Sequence, residues 1–447
     1  MQAVTSDTVE NLSVRRDLSR PLLAWVGLAI LVLLAFVSFL DRQIIALMVS
    51  PIEHSLRISD AQIGLLQGAA FGLVYPIVAL PFGYAADRYS RTWVIFWSVM
   101  FWSVSAISSG FAQSFSVLFA ARVGVALGEA ALGPATASLL SEIFPRERLA
   151  TVFSIFGSGS IVGQAAALAI GGAVISWARG GLDVPWLGHL AAWQIAFILT
   201  GAPAAVLAWL VFIVPEPARE SRSAAAAGPE RPRWSEVFDF IRQTWAFLTC
   251  YIVGQSLLMM IGAGAWSWLP VAMERSFGWN VVRVGSAVGL FTVAFGLTGQ
   301  LANGIIVDRM FRRRADAHLR YYVVGAVIAT ASGCLAPLVP GPWMYLVLLG
   351  PMKFLMNFAG VFGAALQVVT PPRLRGRLTA LSAAVTGLVG WTLGPSIVAF
   401  FTDVVLHDRS KVIWSIALVT GVFMPLAGIL FALGLRPMRE AVARQTG

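Results

Sequence analysis

The chain is a series of long apolar runs without charges, each followed by a short polar or charged segment. A transmembrane helix needs about 20 consecutive apolar residues, and most of these runs have about 20 to 30. Pro337, Pro340, Gly341 and Pro342 divide one run that is too long for a single helix. The pattern predicts an all-α membrane protein with twelve transmembrane helices, over residues 22–50, 61–87, 92–111, 114–141, 149–177, 190–214, 245–273, 284–308, 320–338, 342–369, 377–402 and 412–435.

A polar segment rich in Pro, Ala and Arg separates the apolar runs into two sets of six. The segments predicted in order are a tail over 1–21, a six-helix bundle over 22–214, a linker over 215–244, a second six-helix bundle over 245–435 and a tail over 436–447. Near the end of the linker, Trp234, Phe238 and Ile241 recur at helical spacing. This spacing predicts either a short helix at the membrane interface or an extension of the seventh span.

One motif occurs in both sets at the same offset of 221 residues (83 to 304). The motif is Gly-x-x-x-Asp-Arg-x-x-Arg, found at the end of the second span as residues 83–91 and at the end of the eighth span as residues 304–312. The same offset relates Gly64 and Gly68 to two further glycines, Gly285 and Gly289. Basic residues that merely flank a span would not need two copies in register. Two similar halves are typical of alternating-access transporters. Ion pairs at these helix ends can hold one conformation and release in another, so the residues predicted to act in gating are Gly83, Asp87, Arg88, Arg91, Gly304, Asp308, Arg309 and Arg312.

Composition supports a membrane protein. Hydrophobic residues make up 58% of the chain, charged residues 12%, and the mean hydropathy is +0.78, whereas soluble domains carry roughly 25% charged residues. The net charge is +10, but the basic residues lie in short loops without interleaved aromatics, which disfavours nucleic acid and favours anionic lipid as the partner. Of the Lys and Arg residues, 23 lie on one side of the predicted spans and 6 on the other. Both termini are therefore predicted to be cytoplasmic.

Other functional classes find little support in the sequence. The four His residues lack metal-ligand spacing, and no nucleotide-binding loop or hydrolase motif is present, so we expect neither a cofactor nor a metal nor enzymatic activity. The first apolar run is too long for a cleavable signal peptide and should remain as a span. We expect a monomer in a cell membrane, most simply a bacterial inner membrane.

Four charged residues fall well inside the predicted spans of the first half: Asp41, Arg42, Arg122 and Glu129. A charge near the bilayer centre costs about 2.5–3.5 kcal/mol and usually faces a partner or a wet cavity. Arg122 and Glu129 are seven residues apart, about 10 Å along one helix face, so each needs a partner elsewhere. We expect Asp41 to face the pathway and to bridge to Arg122, and Arg42 to pack toward a neighbouring helix or a charged partner. Because burial favours a neutral carboxyl group, Asp41 and Glu129 are the predicted proton-coupling residues. Arg122 and Arg42 are predicted to bind substrate. The alternative is a static buried network that only fixes helix packing.

The second half contributes further candidates for substrate binding. Lys353 lies near the predicted start of span ten and either snorkels to the outer interface or attracts an anionic headgroup, with Asn357 one turn further on. Span seven is rich in Met and aromatic residues, which adapt to varied apolar shapes. Gln255 and Trp266 are the candidates there, and ordinary packing is the alternative.

These motifs resemble those of a known family. Residues 83–91 are similar to the loop signature of the major facilitator superfamily, except that its eighth position, usually Gly, is Ser90 here and Phe311 in the second copy. Phe39-Leu40-Asp41-Arg42, the Gly-Tyr-x-x-Asp-Arg-Tyr-x-Arg stretch of 83–91 and Arg122-x₅-Gly-Glu-Ala together resemble the spinster-like branch. Residues 131–135 and most of the second half depart from the animal pattern. The resemblance implies twelve spans in two six-helix bundles and machinery like that of animal members, which export lysolipids such as sphingosine-1-phosphate.

The sequence therefore predicts a secondary transporter, proton-coupled, that moves an amphipathic or anionic, lysolipid-like substrate by alternating access. Two alternatives stay open. One is a facilitator of a small organic anion or a drug-like cation. The other is a lipid scramblase or sensor without coupled transport.

Overall fold

The structure is a computed structural model that describes residues 21–145, 148–178, 180–185, 188–216, 234–311, 316–356, 364–371 and 374–446. Within these residues, eleven helices are long and apolar enough to cross a membrane, and a shorter apolar helix ends where the described residues stop at 356. The predicted all-α fold is confirmed. Numbered in chain order, spans 1 to 12 are Leu22–Leu47, Asp60–Val78, Arg91–Ser109, Phe115–Ile143, Thr151–Trp177, Ala192–Ile213, Trp245–Phe277, Val281–Val307, Ala317–Leu338, Pro342–Met356, Arg377–Val405 and Arg409–Arg444.

The two ends of the helix bundle can be told apart by their contacts. Arg444 in span 12 donates a hydrogen bond to the carbonyl of Gln243, just before span 7, and Gly27 in span 1 packs against Val214, just after span 6. The chain therefore begins and finishes at one end of the bundle, which we call the terminal end. The opposite end is called the far end.

Several local elements differ from the predicted boundaries. The first helix, Pro21–Ile44, passes through a 3₁₀ turn into a separate helix, Val49–Leu56, where one span over 22–50 was expected. A hairpin of β1 (Leu182–Val184) and β2 (Gly188–Leu190) joins spans 5 and 6. Its strands are too short to show an alternating pattern in the sequence.

The linker and the C-terminus are also helical where the structure describes them. A helix over Trp234–Gln243 ends before span 7 begins, so the separate short helix, rather than an extended span, is what the structure shows. The last helix continues to Thr446, through the segment predicted as a tail over 436–447.

The two halves touch through the repeated glycines. A Cβ atom at Gly68 in span 2 would lie 2.8 Å from the carbonyl oxygen of Thr392 in span 11, and one at Gly289 in span 8 would lie 3.1 Å from the carbonyl oxygen of Ala165 in span 5. Gly64 and Gly285 make the equivalent contacts one turn away. Only glycine permits backbones to approach this closely. The repeat found in the sequence therefore marks two symmetric helix crossings between the halves, both nearer the far end.

The apolar core shows which end is closed. Residues at the far end of the first half, among them Ile52, Ile63 and Trp193, belong to one continuous cluster with the core of the second half. Residues nearer the terminal end of the first half, such as Leu31 and Phe144, form a separate cluster. The halves are thus packed together at the far end and parted toward the terminal end.

Candidate transport site

A cavity of about 490 Å³ lies between the halves on the terminal side of the glycine crossings. Gly72 of span 2 and Trp391 of span 11 lie at its far-end limit, and it extends to Ala380, close to the start of span 11. Its described lining residues are Phe39, Arg42, Phe71, Gly72, Tyr75, Pro76, Pro134, Met259, Ala380, Ala383, Ala384, Thr386, Gly387 and Trp391. The wall is mostly apolar and aromatic. Arg42 is the one charged residue among the described lining residues.

Arg42 joins the cavity to a carboxylate behind its wall. Its Nη2 atom donates a short hydrogen bond to Oε2 of Glu129 in span 4. The Arg42 side chain is 17% exposed, whereas the Glu129 side chain is 1% exposed. The other carboxylate oxygen, Oε1, is buried without a hydrogen-bond partner among the described residues. Whatever enters the cavity therefore meets Arg42 first, and Glu129 through it.

A second ion pair lies deeper in the same half. Arg122 Nη1 donates to Asp41 Oδ2 at 3.0 Å, and Arg122 Nη2 donates to the backbone carbonyl of Asp41 at 3.4 Å. The hydroxyl of Thr200 in span 6 donates to the other Asp41 oxygen at 3.2 Å. Both members of the pair are buried. The predicted bridge from Asp41 to Arg122 is present, and Arg122 and Glu129 do find separate partners on span 1.

An aromatic ring separates the two guanidinium groups. The Phe71 ring centroid is 4.6 Å from Arg42 Cζ and 5.1 Å from Arg122 Cζ. Tyr75, one turn further along span 2, lies 5.3 Å from Arg42 Cζ. Aromatic faces attract cations in this range. Phe71 therefore stabilises two like charges and keeps Arg122 out of the cavity.

The predicted orientation of span 1 is wrong. Asp41 was expected to face the pathway, but its side chain is buried against Arg122 and Thr200, and its neighbour Arg42 lines the cavity. The two cannot both face the cavity, since adjacent helical residues point about 100° apart. Arg42 does have the charged partner that was expected for it.

The candidates from the second half lie away from this cavity. Lys353 does not snorkel to an interface: it is buried, with Nζ 4.3 Å from the centroid of the Trp266 ring. It lies three turns into the helix that begins at Pro342 rather than at its start. Gln255 is buried within the second half. None of the three is among the described residues that line the cavity, and Asn357 lies outside the described residues.

The first copy of the repeated motif ties together helices of its own half. Arg91, which is buried at the start of span 3, binds both oxygens of Glu142 through its two terminal nitrogens and donates from Nε to Ser138, both in span 4. Glu216, after span 6, accepts hydrogen bonds from the Arg91 backbone and from the Ser90 side chain. Spans 3, 4 and 6 are thereby joined at the terminal end.

The remaining motif residues occupy matching places. Gly83, Asp87 and Arg88 lie in the helix Val74–Arg88, and Arg88 is exposed at its end. Gly304, Asp308 and Arg309 lie toward the end of the helix Thr298–Phe311. The side chains of Asp87 and Asp308, and all of Arg312, lie outside the described residues. The gating role of these residues stays a prediction.

The sequence did not single out several residues that complete the site. Phe71 and Tyr75 are four residues apart on one face of span 2, a signal that fits packing as well as cation binding. Thr200 and Glu142 carry no motif at all. Only the assembled fold shows them beside Asp41 and Arg91.

Two helical halves, closed together at one end around a cavity whose described wall has one charged residue, Arg42, are the architecture of a membrane transporter. The Major Facilitator Superfamily profile matches residues 31–395. The chain therefore belongs to the Major Facilitator Superfamily.

Individual relatives agree with this family and with the spinster resemblance. The chain is 26% identical over 396 residues to an MFS-type efflux pump of Mycolicibacterium smegmatis, covering 88% of this chain and 87% of that protein. It is 23% identical to Protein spinster of Drosophila melanogaster, over 87% of this chain and 63% of that protein. It is 26% identical to human Protein spinster homolog 3, over 87% of this chain and 77% of that protein.

Solved structures show the same fold. A bacterial homolog of the human lysosomal transporter spinster, in an inward-facing and unoccupied conformation, superposes with a TM-score of 0.77 at 22% identity, covering 95% of this chain and 99% of that chain. A D-xylose–proton symporter superposes with a TM-score of 0.68 at 15% identity, covering 90% of this chain and 97% of that chain.

Proposed function

We propose that the protein is a secondary active transporter that moves protons together with an amphipathic anion of the lysolipid type. The observation that carries this proposal is the double contact of Arg42, which lines the cavity and is ion-paired with a buried carboxylate, Glu129. A substrate anion and Glu129 compete for the same guanidinium group. Binding of one ligand therefore affects binding of the other.

The competition supplies a coupling mechanism. When a substrate anion pairs with Arg42, Glu129 loses its counter-charge in a buried place, and a buried carboxylate without a partner favours the protonated form. When the substrate leaves, Arg42 returns to Glu129 and the proton is released. The Asp41–Arg122 ion pair lies deeper in the same half and contributes to the electrostatic potential at Glu129. In this scheme, Glu129 carries the coupling proton, and Asp41 influences its protonation without binding substrate.

The shape of the cavity favours an amphipathic substrate. A single cation next to Phe39, Phe71, Tyr75 and Trp391 suits one anionic headgroup joined to an apolar portion. Met259, on the opposite wall, is a flexible side chain that adapts to different apolar shapes. The spinster resemblance supports a lysolipid. Lys353 and Trp266, buried beside each other, become candidates only for a later state in which the second half opens.

The excess of Lys and Arg at the terminal end supports a cytoplasmic location for that end. The cavity would then open to the cytoplasm in the conformation described here, in a bacterial inner membrane. Alternating access requires the far end to open and the terminal end to close in the other half of the cycle.

Transport in proteoliposomes tests the proposal. A panel of lysophospholipids and small organic anions is offered with and without an imposed pH gradient. A coupled transporter accumulates substrate only with the gradient, a facilitator equilibrates it without one, and a scramblase responds to neither gradient nor substrate exchange. Glu129→Gln should abolish gradient-driven accumulation while exchange of labelled for unlabelled substrate continues, since exchange needs no net proton movement.

Matched variants separate binding from coupling. Arg42→Ala should abolish both accumulation and exchange, because it removes the group that binds the anion. Arg436→Gln, which removes a cation from an exposed ion pair at the terminal end, should change neither. Unchanged pH dependence in both Glu129→Gln and Asp41→Asn would rule out proton coupling through these residues.

A further inference from the structure

A second buried cluster of charges lies at the far end, where it joins the two halves. Arg275, in span 7 of the second half, donates from Nη1 to Asp60 Oδ2 at 2.7 Å and from Nη2 to Glu53 Oε2 at 2.7 Å. Both acidic residues belong to the first half and are buried, with Glu53 7% and Asp60 0% exposed. This is an ion-pair cluster across the interface that must separate when the far end opens.

Acidic side chains outnumber basic ones around the cluster. Arg409, from the second half, reaches Asp60 only at 3.9 Å and is half exposed. Asp403, also from the second half, accepts a hydrogen bond from the backbone of Ala61 and adds negative charge near Asp60. Glu274 also lies near Arg275, and His54 lies near Glu274. Arg275 is thus the one guanidinium group that is hydrogen-bonded to both buried carboxylates among the described residues.

One carboxylate oxygen in this cluster lacks a donor. Glu53 Oε1 is buried and has no hydrogen-bond partner among the described residues, although Glu53 lies beside Asp60. Two adjacent buried carboxylates commonly share one proton, because both cannot ionise at low cost. A proton on Glu53 Oε1 would satisfy this atom by donation to Asp60.

We propose that Glu53 and Asp60 hold one proton between them when the far end is closed, and that loss of this proton opens the latch formed with Arg275. The inference rests on the alternating-access function proposed above, because it assigns one step of that cycle. This proton site is separate from Glu129, and it faces the other side of the membrane.

The direction of its pH dependence follows from burial. Burial of the Glu53 carboxyl group and the adjacent Asp60 carboxyl group raise the pKa of Glu53 to about 8, against the opposing charges of Arg275 and Arg409. In an open far end, water would return this pKa toward its ordinary value near 4.5. The closed form therefore binds the proton more tightly. The proton's contribution to closure is complete below about pH 4.5, decreases as the pH rises from 4.5 to 8, and is lost above pH 8.

Pulsed electron paramagnetic resonance across the far end measures this latch directly. Spin labels on Gln113→Cys, in an exposed loop of the first half, and on Leu338→Cys, at the exposed far end of span 9, report the distance between the two halves after Cys250 and Cys334 are replaced by Ala. The protein is the full chain in nanodiscs without substrate, with equal pH on both sides. A Glu129→Gln background removes the titration of the transport site.

We expect the closed distance at pH 6 and a longer distance at pH 9.5. The closed-to-open ratio should fall about tenfold per pH unit between about pH 4.5 and pH 8 and level off above that range, with the midpoint of this levelling near pH 8. Glu53→Gln, which keeps the neutral form and its hydrogen bonds, should stay closed over the whole range. Asp60→Asn removes the neighbouring negative charge and should lower the midpoint by about one pH unit or more. Asp183→Asn, an exposed far-end acid outside the cluster, is the matched control and should titrate like the parent.

Two results would overturn the latch. One is a distance that does not change with pH in the parent. The other is a Glu53→Gln profile that coincides with that of the parent. Because the distance does not depend on transport, either result together with normal gradient-driven uptake would leave the transport proposal standing. A titration as expected without any uptake would refute the transport proposal and retain the proton site.

Discussion

Removing the carboxylate of Asp41 should destabilise the protein far more than neutralising Glu129. Asp41 accepts two hydrogen bonds from Arg122 and one from Thr200, and Arg122 is fully buried. Asp41→Ala leaves a cation in the protein interior without a counter-charge. Breaking a buried pair in this way costs about 3–5 kcal/mol.

The pair at the cavity wall should respond differently. Gln at position 129 can still accept a hydrogen bond from Arg42, and Arg42 is partly exposed and can turn toward water in the cavity. A loss of about 1–2 kcal/mol, similar to that of one charge-assisted hydrogen bond, is expected for Glu129→Gln. Glu440→Gln, in an exposed pair with Arg436, should change stability by less than about 0.5 kcal/mol.

Reversible unfolding by SDS in mixed micelles measures these free energies. The decisive variant is Asp41→Ala combined with Arg122→Ala. If the cost of Asp41→Ala comes from a stranded charge, the double variant should be less destabilised than the sum of the two single variants. Additive losses, or equal losses for Asp41→Ala and Glu129→Gln, would refute the assignment of Asp41 and Arg122 as the sealed pair and Arg42 and Glu129 as the accessible one.

Three further predictions concern the remaining contacts. Gly68→Val should shift the spin-label distance across the far end toward the open form, because its side chain would collide with the carbonyl oxygen of Thr392 at the crossing of the halves, whereas Gly325→Ala, at a site with no atom within 4 Å, should not. Arg91→Ala should lower the free energy of unfolding by about 1–3 kcal/mol, because it removes the charge-assisted hydrogen bonds from a buried guanidinium group to Glu142, which is itself exposed, and no measurable change would contradict this. Burial disfavours the charged form of Glu216, but hydrogen bonds from Ser90, Thr92 and the backbone outweigh burial and hold its pKa below the ordinary value of 4.5. The charged Glu216 therefore stabilises the fold above pH 4.5, and this stabilisation is lost as the pH falls further. Glu216→Gln should flatten the pH dependence of the free energy of unfolding in that acidic range.

The succession of membrane spans and the division into two halves could be predicted from the sequence, because the bilayer requires apolar segments of a fixed length. Apolar runs of membrane length predict spans, and the motif and glycines repeated at one offset indicate two similar halves. The structure shows that these glycines lie where spans 2 and 11 and spans 5 and 8 cross. The partner of Arg122 could also be anticipated. Two charges two turns apart on one helix cannot pair with each other, and Asp41 was a buried acid of the right sign.

Rotation of a helix about its own axis could not be read in the same way. Asp41 and Arg42 are both charged and adjacent, so the apolar pattern of span 1 does not decide which of them faces the cavity. Packing decides it: Phe71 lies against both guanidinium groups and leaves room at the cavity wall only for Arg42. The environment of Lys353 could not be predicted for a related reason. The start of its span was clear from Pro342, but the burial of the Lys353 side chain and its contact with Trp266 depend on how the neighbouring helices pack.

The far-end cluster could not be recognised in the sequence for a different reason. Glu53, Asp60 and Arg275 sit at the borders of spans, where charges are ordinary, and Arg275 is 222 residues from Glu53. Their meeting requires both halves to be assembled in one particular conformation. A conformation-specific contact of this kind leaves no periodic or local signal.

The two charged sites differ in what a rocking motion does to them. Arg42, Glu129, Asp41 and Arg122 all belong to the first half, so their distances can survive a rigid rotation of that half, and only their access to water changes. Arg275 and its two acids belong to opposite halves, so the same rotation must break them. A proton at Glu129 can therefore report what occupies the cavity, whereas a proton at Glu53 can report only whether the far end is closed. A transporter needs both kinds of information to tie substrate movement to a pH gradient, because a site that senses occupancy alone cannot prevent the unloaded protein from opening to the other side.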